Sequence, residues 1–377
     1  MTIQLSNSPC GRLVPISNGN MAFVPDPMPR LLDLPLPLVN RLDEASRAVA
    51  TLSGVGETIP NPSLLIRPLM RREAVLSSRI EGTQASLDDL FRFEATGLRR
   101  PKGDVAEVFN YVSALEEGIG LLEQLPISLR LINHVHAVLM QGVRGQEKYP
   151  GQLRTGQVWI GAAGTPIEQA RFVPPPPHLL MEAIGDWERF ANETVLLPPL
   201  VQCALLHYQF EAIHPYLDGN GRIGRLLIAL FLYAKGVLRT PLLYLSAYFE
   251  ADRQAYYDQL LRVSATGDWS TWLEYFLTGV TEQATDALFR TRQLREMHDR
   301  YRSLLQESRE SINAVRLVDE MFAMPFMTAP QASRVLGITT AGARRVLDRL
   351  AERGLVKLSP GSWPRLYVAD ELLEALQ

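Results

Sequence analysis

From Leu36 onward, apolar side chains recur at steps of three and four, the spacing that lines one face of an α-helix. Leu38, Leu42, Ala45, Ala48 and Val49 begin the series. A second helix is predicted over about 62–82, and Asp88, Asp89 and Leu90 open a short third. Arg99, Arg100, Pro101, Lys102 and Gly103 interrupt the pattern. It resumes with Val105, Val108, Tyr111, Val112 and Leu115, and again over 128–142. Val201, Ala204, Leu205, Tyr208 and Ile213 predict a helix over 199–213. Ile223, Leu226, Leu227 and Leu230 predict one over 220–236. His207 lies within the first of these two and reads as a packing residue.

Elsewhere the period changes. Residues 1–35 are rich in Pro and Gly, which suits extended chain wrapped over the surface. After Tyr149-Pro150-Gly151, two β-prone runs at 158–161 and 171–173 precede four prolines at 174–177 and predict a short hairpin. A helix starts near Gly267, with Asp268 or Ser270 as its cap, and beyond 280 the chain becomes a charged connecting helix. Residues 330–336 form a short helix, Gly337 a turn, and Thr339 caps a longer helix to about Glu352. Two short strands, 355–358 and 365–368, then flank a Ser-Pro-Gly turn. That order is a winged helix-turn-helix pattern. Its longer helix sets Arg344, Arg345, Arg349 and Arg353 against Asp348 and Glu352. The basic excess is modest and leaves DNA binding, protein docking and homodimer formation open. The expected fold is mainly α, in four parts: an N-terminal region over 1–104, a helical core over 105–285, a connector over 286–310 and the winged unit over 311–377.

Composition narrows the classes. A chain of 377 residues suggests two or three domains. At 46% hydrophobic and 21% charged it can build a core, and disorder is not expected to dominate. A net charge of −3 offers no global attraction to nucleic acid or anionic membrane. Cys10 and Cys203 are too few for a disulfide scaffold or a zinc ligand set. The first seven residues lack the basic start and apolar run of a signal peptide, and no apolar stretch is long enough to span a bilayer. The expectation is a soluble cytoplasmic protein with no membrane partner.

Chemistry concentrates in residues 214–225, His-Pro-Tyr-Leu-Asp-Gly-Asn-Gly-Arg-Ile-Gly-Arg. An imidazole such as His214 can be neutral at physiological pH and accept a hydroxyl proton. Asp218 is an oxygen donor of the kind Mg²⁺ takes alongside substrate phosphates. Gly219, Asn220 and Gly221 allow successive N–H groups to converge on an anion where a helix begins. Arg222 and Arg225, three apart on that helix, offer forked donors to phosphate oxygens. The ordered set points to attack on a nucleotide phosphate.

These residues resemble the signature of Fic-family proteins, His-Pro-Phe-x-(Asp/Glu)-Gly-Asn-Gly-Arg-x-x-Arg, with Tyr216 in the Phe position as the one departure. The resemblance implies transfer of AMP from ATP to a hydroxyl of a target protein. It makes His214 the base and Asp218 the Mg²⁺ ligand. Asn220 and the neighbouring amides would cradle the α- and β-phosphates, Arg222 would hold phosphate oxygens, and Arg225 would hold the γ-phosphate. Gly219 matters because the kinase-like Doc branch carries Ala there. The 158–173 hairpin would be the flap that pins a target's extended backbone by strand addition, with a plain surface hairpin the alternative.

A second stretch, Ser77-Ser78-Arg79-Ile80-Glu81-Gly82, resembles the family's inhibitory helix, (Ser/Thr)-x-x-x-Glu-(Gly/Asn). Ser77, Glu81 and Gly82 would then restrain the enzyme, because Glu81 and a γ-phosphate compete for Arg225. The alternative for Gly82 is a plain helix stop. Tyr244, Tyr248, Tyr256 and Tyr257 are also family-like, and one of them could line an adenine pocket, with core packing the alternative. The expected function is a self-restrained protein adenylyltransferase using ATP and Mg²⁺ on a Ser, Thr or Tyr hydroxyl, including its own. Two alternatives stand beside it: a DNA-binding regulator with a nucleotide-sensing core, and a hydrolase that removes AMP at the same site.

Overall fold

The structure, a computed structural model, describes residues 5, 8–57, 63–96, 101–162, 164–360 and 364–376. At its centre lie α7 (Pro199–Ile213) and α8 (Asn220–Ala234). Nearly every residue of α7 is buried, the mark of a helix apolar on all sides and surrounded by others. The Trp187 and Trp272 indoles donate to the carbonyls of Leu206 and Ala204 at 2.9 and 3.0 Å, tying in the helices on either flank. These surrounding helices are α4 (Asp104–Leu121), α5 (Leu129–Leu139), α6 (Leu180–Asn192), α9 (Ser246–Ala251), α10 (Arg253–Thr266) and α11 (Trp269–Glu307).

Ahead of the core come α1 (Leu36–Glu57), α2 (Ser63–Ile80) and α3 (Leu87–Thr96). The expected second helix ends two residues early: Glu81 and Gly82 form a turn, with Gly82 at φ 94°. Residue 62, its expected start, lies outside the described residues, as do Arg99 and Arg100 of the interruption. Residues 1–35 depart from a plain surface wrap. They hold an antiparallel pair, β1 (Gly11–Pro15) and β2 (Met21–Pro25), with Ala22 and Phe23 wholly buried. The turn between them places Asn18 and Gly19 at positive φ, a hairpin chemistry the prolines masked.

The expected flap hairpin is smaller than foreseen. Among the described residues it is a single antiparallel bridge, Ile160 to Phe172, rather than two strands. Its return limb borrows support from the N-terminal hairpin: Phe23 N–H donates to the Val173 carbonyl at 2.8 Å, and the Phe23 and Phe172 rings lie 5.7 Å apart.

Helix α11 runs unbroken across the boundary expected at 285–286, because its buried positions, among them Phe276, Val280, Ala284 and Ala287, continue without a break. The chain then forms α12 (Ile312–Ala323), β3 (Phe326–Thr328), α13 (Ala329–Leu336), α14 (Thr340–Glu352), β4 (Lys357–Leu358), β5 (Leu366–Val368) and α15 (Asp370–Leu376). The sheet order is β3-β5-β4, all antiparallel. Thr339 caps α14 through the Gly342 N–H, as expected, and Gly337 ends α13 at φ 68°. Gly361 of the Ser-Pro-Gly turn lies outside the described residues. This unit packs directly on the N-terminal helices. The Phe326 ring stacks on Phe91, the Arg92 guanidinium sits 5.0 Å from its centroid, and Arg92 also bonds Ser359 Oγ at 3.1 Å. No described helix is long and apolar enough to cross a membrane.

Candidate active site

The site is the loop between α7 and α8. His214 ends α7 in the left-handed region (φ 50°, ψ 61°), uncommon for a residue with a Cβ. Tyr216 is fully buried beneath the loop, stacked 3.8 Å from the His136 ring, with its hydroxyl donating to Asn133 Oδ1 at 2.7 Å. His136 Nδ1 accepts from Gly151 N–H at 2.8 Å, so its proton sits on Nε2, which donates to the Asp218 carbonyl at 2.9 Å. Burial lowers the His136 pKa to about 4 and keeps it a neutral spacer. Gly219, at φ 80°, turns the chain into α8, and no side chain caps that helix. The N–H groups of its first turn have no partner within the helix.

Asn220 does something other than expected. Its side chain accepts from Tyr216 N–H and donates to the Tyr216 carbonyl, both at 2.9 Å, so it closes the loop on itself. Arg222 also departs from a plain phosphate ligand. It is 2% exposed, pairs through Nη1 with Glu107 at 3.2 Å, and leaves Nε buried without a partner. Glu107 accepts in turn from Thr83 Oγ1 at 3.0 Å.

Ser77, Glu81 and Arg225 do meet. Arg225 donates to Ser77 Oγ, to the Ser77 carbonyl and to Glu81 Oε1, each at 2.8 Å. Burial opposes the Arg225 charge, but Glu81, with Tyr256, Tyr257 and Glu211 behind it, outweighs burial and raises the pKa. Glu81 lies across the opening turn of α8: a Cβ on Gly221 would stand 2.4 Å from its Oε1. On the next turn a Cβ on Gly224 would stand 2.1 Å from Glu211 Oε1, which is buried without a partner. Burial pushes the Glu211 carboxyl up to about 7.

The rest of the loop is charged in a different sense. Asp218 Oδ1 accepts from Gly219 N–H at 2.7 Å and Oδ2 pairs with Lys148 Nζ at 2.9 Å. Burial works against the Asp218 carboxylate, but Lys148 and Gly219 hold its pKa below the ordinary value. His214 is half-buried; burial and the Arg154 guanidinium lower its pKa to about 4. At neutral pH it is a free base.

Arg154, Lys148, Glu107 and Glu211 were not singled out in the sequence. Glu107 and Glu211 had a signal, since each is an acid inside an apolar helical run. His207 sits among Phe249, Tyr256 and Trp272, donating to the Gly224 carbonyl and accepting from Tyr256 OH. Tyr256 is thus core, whereas Tyr257 lies partly exposed near Glu81 and Arg225, with burial raising its pKa to about 12.

Two family models match: Fic/DOC family N-terminal over residues 39–120 and Fic/DOC family over 126–232, together half of the chain. The chain belongs to the Fic/DOC family. The first match takes in α4, so the family's N-terminal part reaches beyond the boundary expected at 104. The chain is 27% identical over 226 residues to the protein adenylyltransferase fic-1 of Caenorhabditis elegans, covering 56% of this chain and 41% of that protein. It is 28% identical over 196 residues to a probable protein adenylyltransferase of Aquifex aeolicus, covering 50% and 55%. It therefore spans about half the length, or less, of these curated relatives. A crystal structure of a Fic family protein from Desulfovibrio desulfuricans shares the fold, with TM-score 0.59 and 20% identity over 91% of this chain and 98% of that one. Fic-1 from Caenorhabditis elegans matches with TM-score 0.52 and 22% identity, over 68% and 75%.

Proposed function

We propose that this Fic/DOC chain is a protein adenylyltransferase restrained by Glu81. In this reading a target Ser, Thr or Tyr hydroxyl gives its proton to His214, and its oxygen attacks the α-phosphorus of ATP. The bond from that phosphorus to the bridging oxygen breaks, and pyrophosphate leaves. Backbone amides opening α8 stabilise the phosphate charge, and this electrostatic share exceeds that of the base. Arg225 takes the γ-phosphate once Glu81 moves away.

Asp218 suits Mg²⁺. Its carboxylate is part-exposed, as suits an ion held by one carboxylate and substrate phosphates. Asp218 would hold the ion, which would neutralise phosphate charge. The carrying observation is the 2.8 Å Glu81–Arg225 pair lying over Gly221 at the opening of α8. The test is intact-mass spectrometry of Glu81→Gly protein with ATP. A gain of one adenylate, abolished by adding His214→Ala, is expected; no gain on the protein or on added cell extract sinks the reading. Release of AMP from an adenylylated protein would instead favour the hydrolase.

The same proposal assigns the C-terminal unit as a winged helix-turn-helix. The β3-β5-β4 order and the α13–α14 turn support it. Arg349 and Arg353 lie near Glu310, at 3.6 and 3.3 Å, so Arg344 and Arg345, both exposed, are what α14 offers a polyanion. We assign action to the cytoplasm, where ATP is supplied.

A further inference from the structure

We propose that Arg154 is the positioning residue of this site, locking the His214 backbone to the base of the flap. The inference rests on the transferase reading. Arg154 is 3% exposed, and all its contacts are backbone carbonyls. Toward the catalytic loop, Nε donates to the His214 carbonyl at 2.8 Å, Nη2 to that of Ile213 at 3.4 Å, and its own N–H to that of Pro215 at 3.0 Å. Toward the flap, Nη2 reaches the Pro175 carbonyl at 2.5 Å and Nη1 that of Gly156 at 3.1 Å. The planar fork thus joins Ile213 and His214 to both limbs of the flap, and the Arg154 main-chain N–H adds Pro215. Only guanidinium has the donor number and fixed geometry for this.

His214 needs such a clamp. Its Nδ1 is buried with only the Glu211 main-chain carbonyl beside it, so the imidazole takes its direction from the same stretch of backbone that Arg154 holds. Its direction follows from a left-handed backbone (φ 50°), which is strained for a residue with a Cβ and persists where surroundings enforce it. Arg154 is the group that grips that backbone. The same grip sets the distance between the imidazole and whatever peptide lies along the flap.

Charge supplies a second, separable effect. Groups facing His214 are the Glu211 main-chain carbonyl on α7, Asp218 in the loop, Glu81 from the turn after α2, and Arg154 from the flap side. The carboxylates of Glu81 and Asp218 favour imidazolium; Arg154 opposes it and joins burial in keeping the ring unprotonated.

The test has two arms. In the first, the His214 titration midpoint is followed by NMR of histidine-labelled protein, with His214→Ala for assignment. Arg154→Gln should raise it by about one pH unit or more, and Arg154→Lys, which keeps the charge, by much less. Equal midpoints in all three proteins would overturn the electrostatic role. The second arm measures AMP transfer with Glu81→Gly as background. Arg154→Lys should lower kcat at least tenfold and raise KM for the target while KM for ATP holds. A fall in kcat alone, matched by a fall in folded fraction on circular dichroism, would reduce Arg154 to a packing residue. If no variant transfers AMP, the functional reading fails, and the NMR arm still decides the role of Arg154.

Discussion

Replacing Glu81 tests the restraint in numbers. Its Oε1 lies 2.8 Å from Arg225 Nη2, with side-chain exposures of 32% and 1%. A hydrogen bond to a charged group contributes about 1.5–3 kcal/mol. Partial exposure of Glu81 puts this pair at the lower end, near about 1.5 kcal/mol. A nucleotide whose γ-phosphate must evict Glu81 forfeits that energy, and about 1.4 kcal/mol is tenfold in affinity. Glu81→Gly should therefore bind a non-hydrolysable ATP analogue about tenfold more tightly than wild type, by calorimetry in excess Mg²⁺. Glu81→Gln keeps a neutral hydrogen bond and should fall between. Both variants should fold, because Arg225 retains Ser77 Oγ and the Ser77 carbonyl. Affinities equal within twofold for Glu81→Gly and wild type would refute the competition, whatever their activities.

Other contacts give further expectations. Lys148→Met removes the ammonium beside Asp218 and should tighten Mn²⁺ binding about threefold, read by electron paramagnetic resonance with the ATP analogue present; unchanged or weaker binding would show that Lys148 does not compete for the carboxylate. Glu211, raised to about 7, favours the fold below its ordinary pKa and loses that contribution as pH climbs through 7. Glu211→Gln should therefore gain Tm at pH 8.5 by several degrees more than at pH 5.5, and a gain independent of pH would discard the buried-acid argument. Gly224→Ala forces a methyl onto Glu211 Oε1 and should cost about 1–3 kcal/mol in denaturant unfolding. Most of that loss should vanish with Glu211→Ala, and additive losses would mean the two residues do not touch.

What could be read in the chain depended on how far apart the cooperating residues lie. The helical stripes and the loop chemistry are local: His214, Asp218 and Arg225 fall within twelve consecutive positions, and Ser77 and Glu81 lie one turn apart. The Glu81–Arg225 meeting, 144 positions apart, was legible only through the resemblance. Arg222 and Glu107, 115 positions apart, had no such guide, so the expectation left Arg222 free for phosphate when it is in fact paired. Asn220 shows the reverse, a local contact the resemblance did not point to. Its place in the signature assigned it to the phosphate cradle, yet a side chain four residues from Tyr216 can satisfy that residue's N–H and carbonyl together. The β1–β2 hairpin was legible and missed: Asn18-Gly19 between alternating runs is a strong turn signal that the surrounding prolines obscured. The length of α11 was hidden for another reason. Its exposed arginines look like a linker, while its buried positions follow the helical repeat with no local marker.

Charge around α8 explains why one carboxylate can govern the site. Arg222 and Arg225 face three acids, Glu107, Glu81 and Glu211, while Asp218 is already balanced by Lys148. With Glu211 ionised, these five groups hold one more negative than positive charge where a triphosphate would arrive, and the exposed Arg144, 3.5 Å from Glu107, adds only a solvent-screened positive charge at the rim. Removing Glu81 restores balance, and protonation of Glu211 near neutral pH turns it positive. Glu107 cannot serve as the release point, since losing this buried partner leaves Arg222 with only Asp218 at 3.8 Å, and breaking a buried pair costs about 3–5 kcal/mol. Glu81 can, because its side chain is a third exposed and water takes over its hydrogen bonds when it leaves. The restraint therefore sits on the one acid of the three that can withdraw without destabilising the helix it guards.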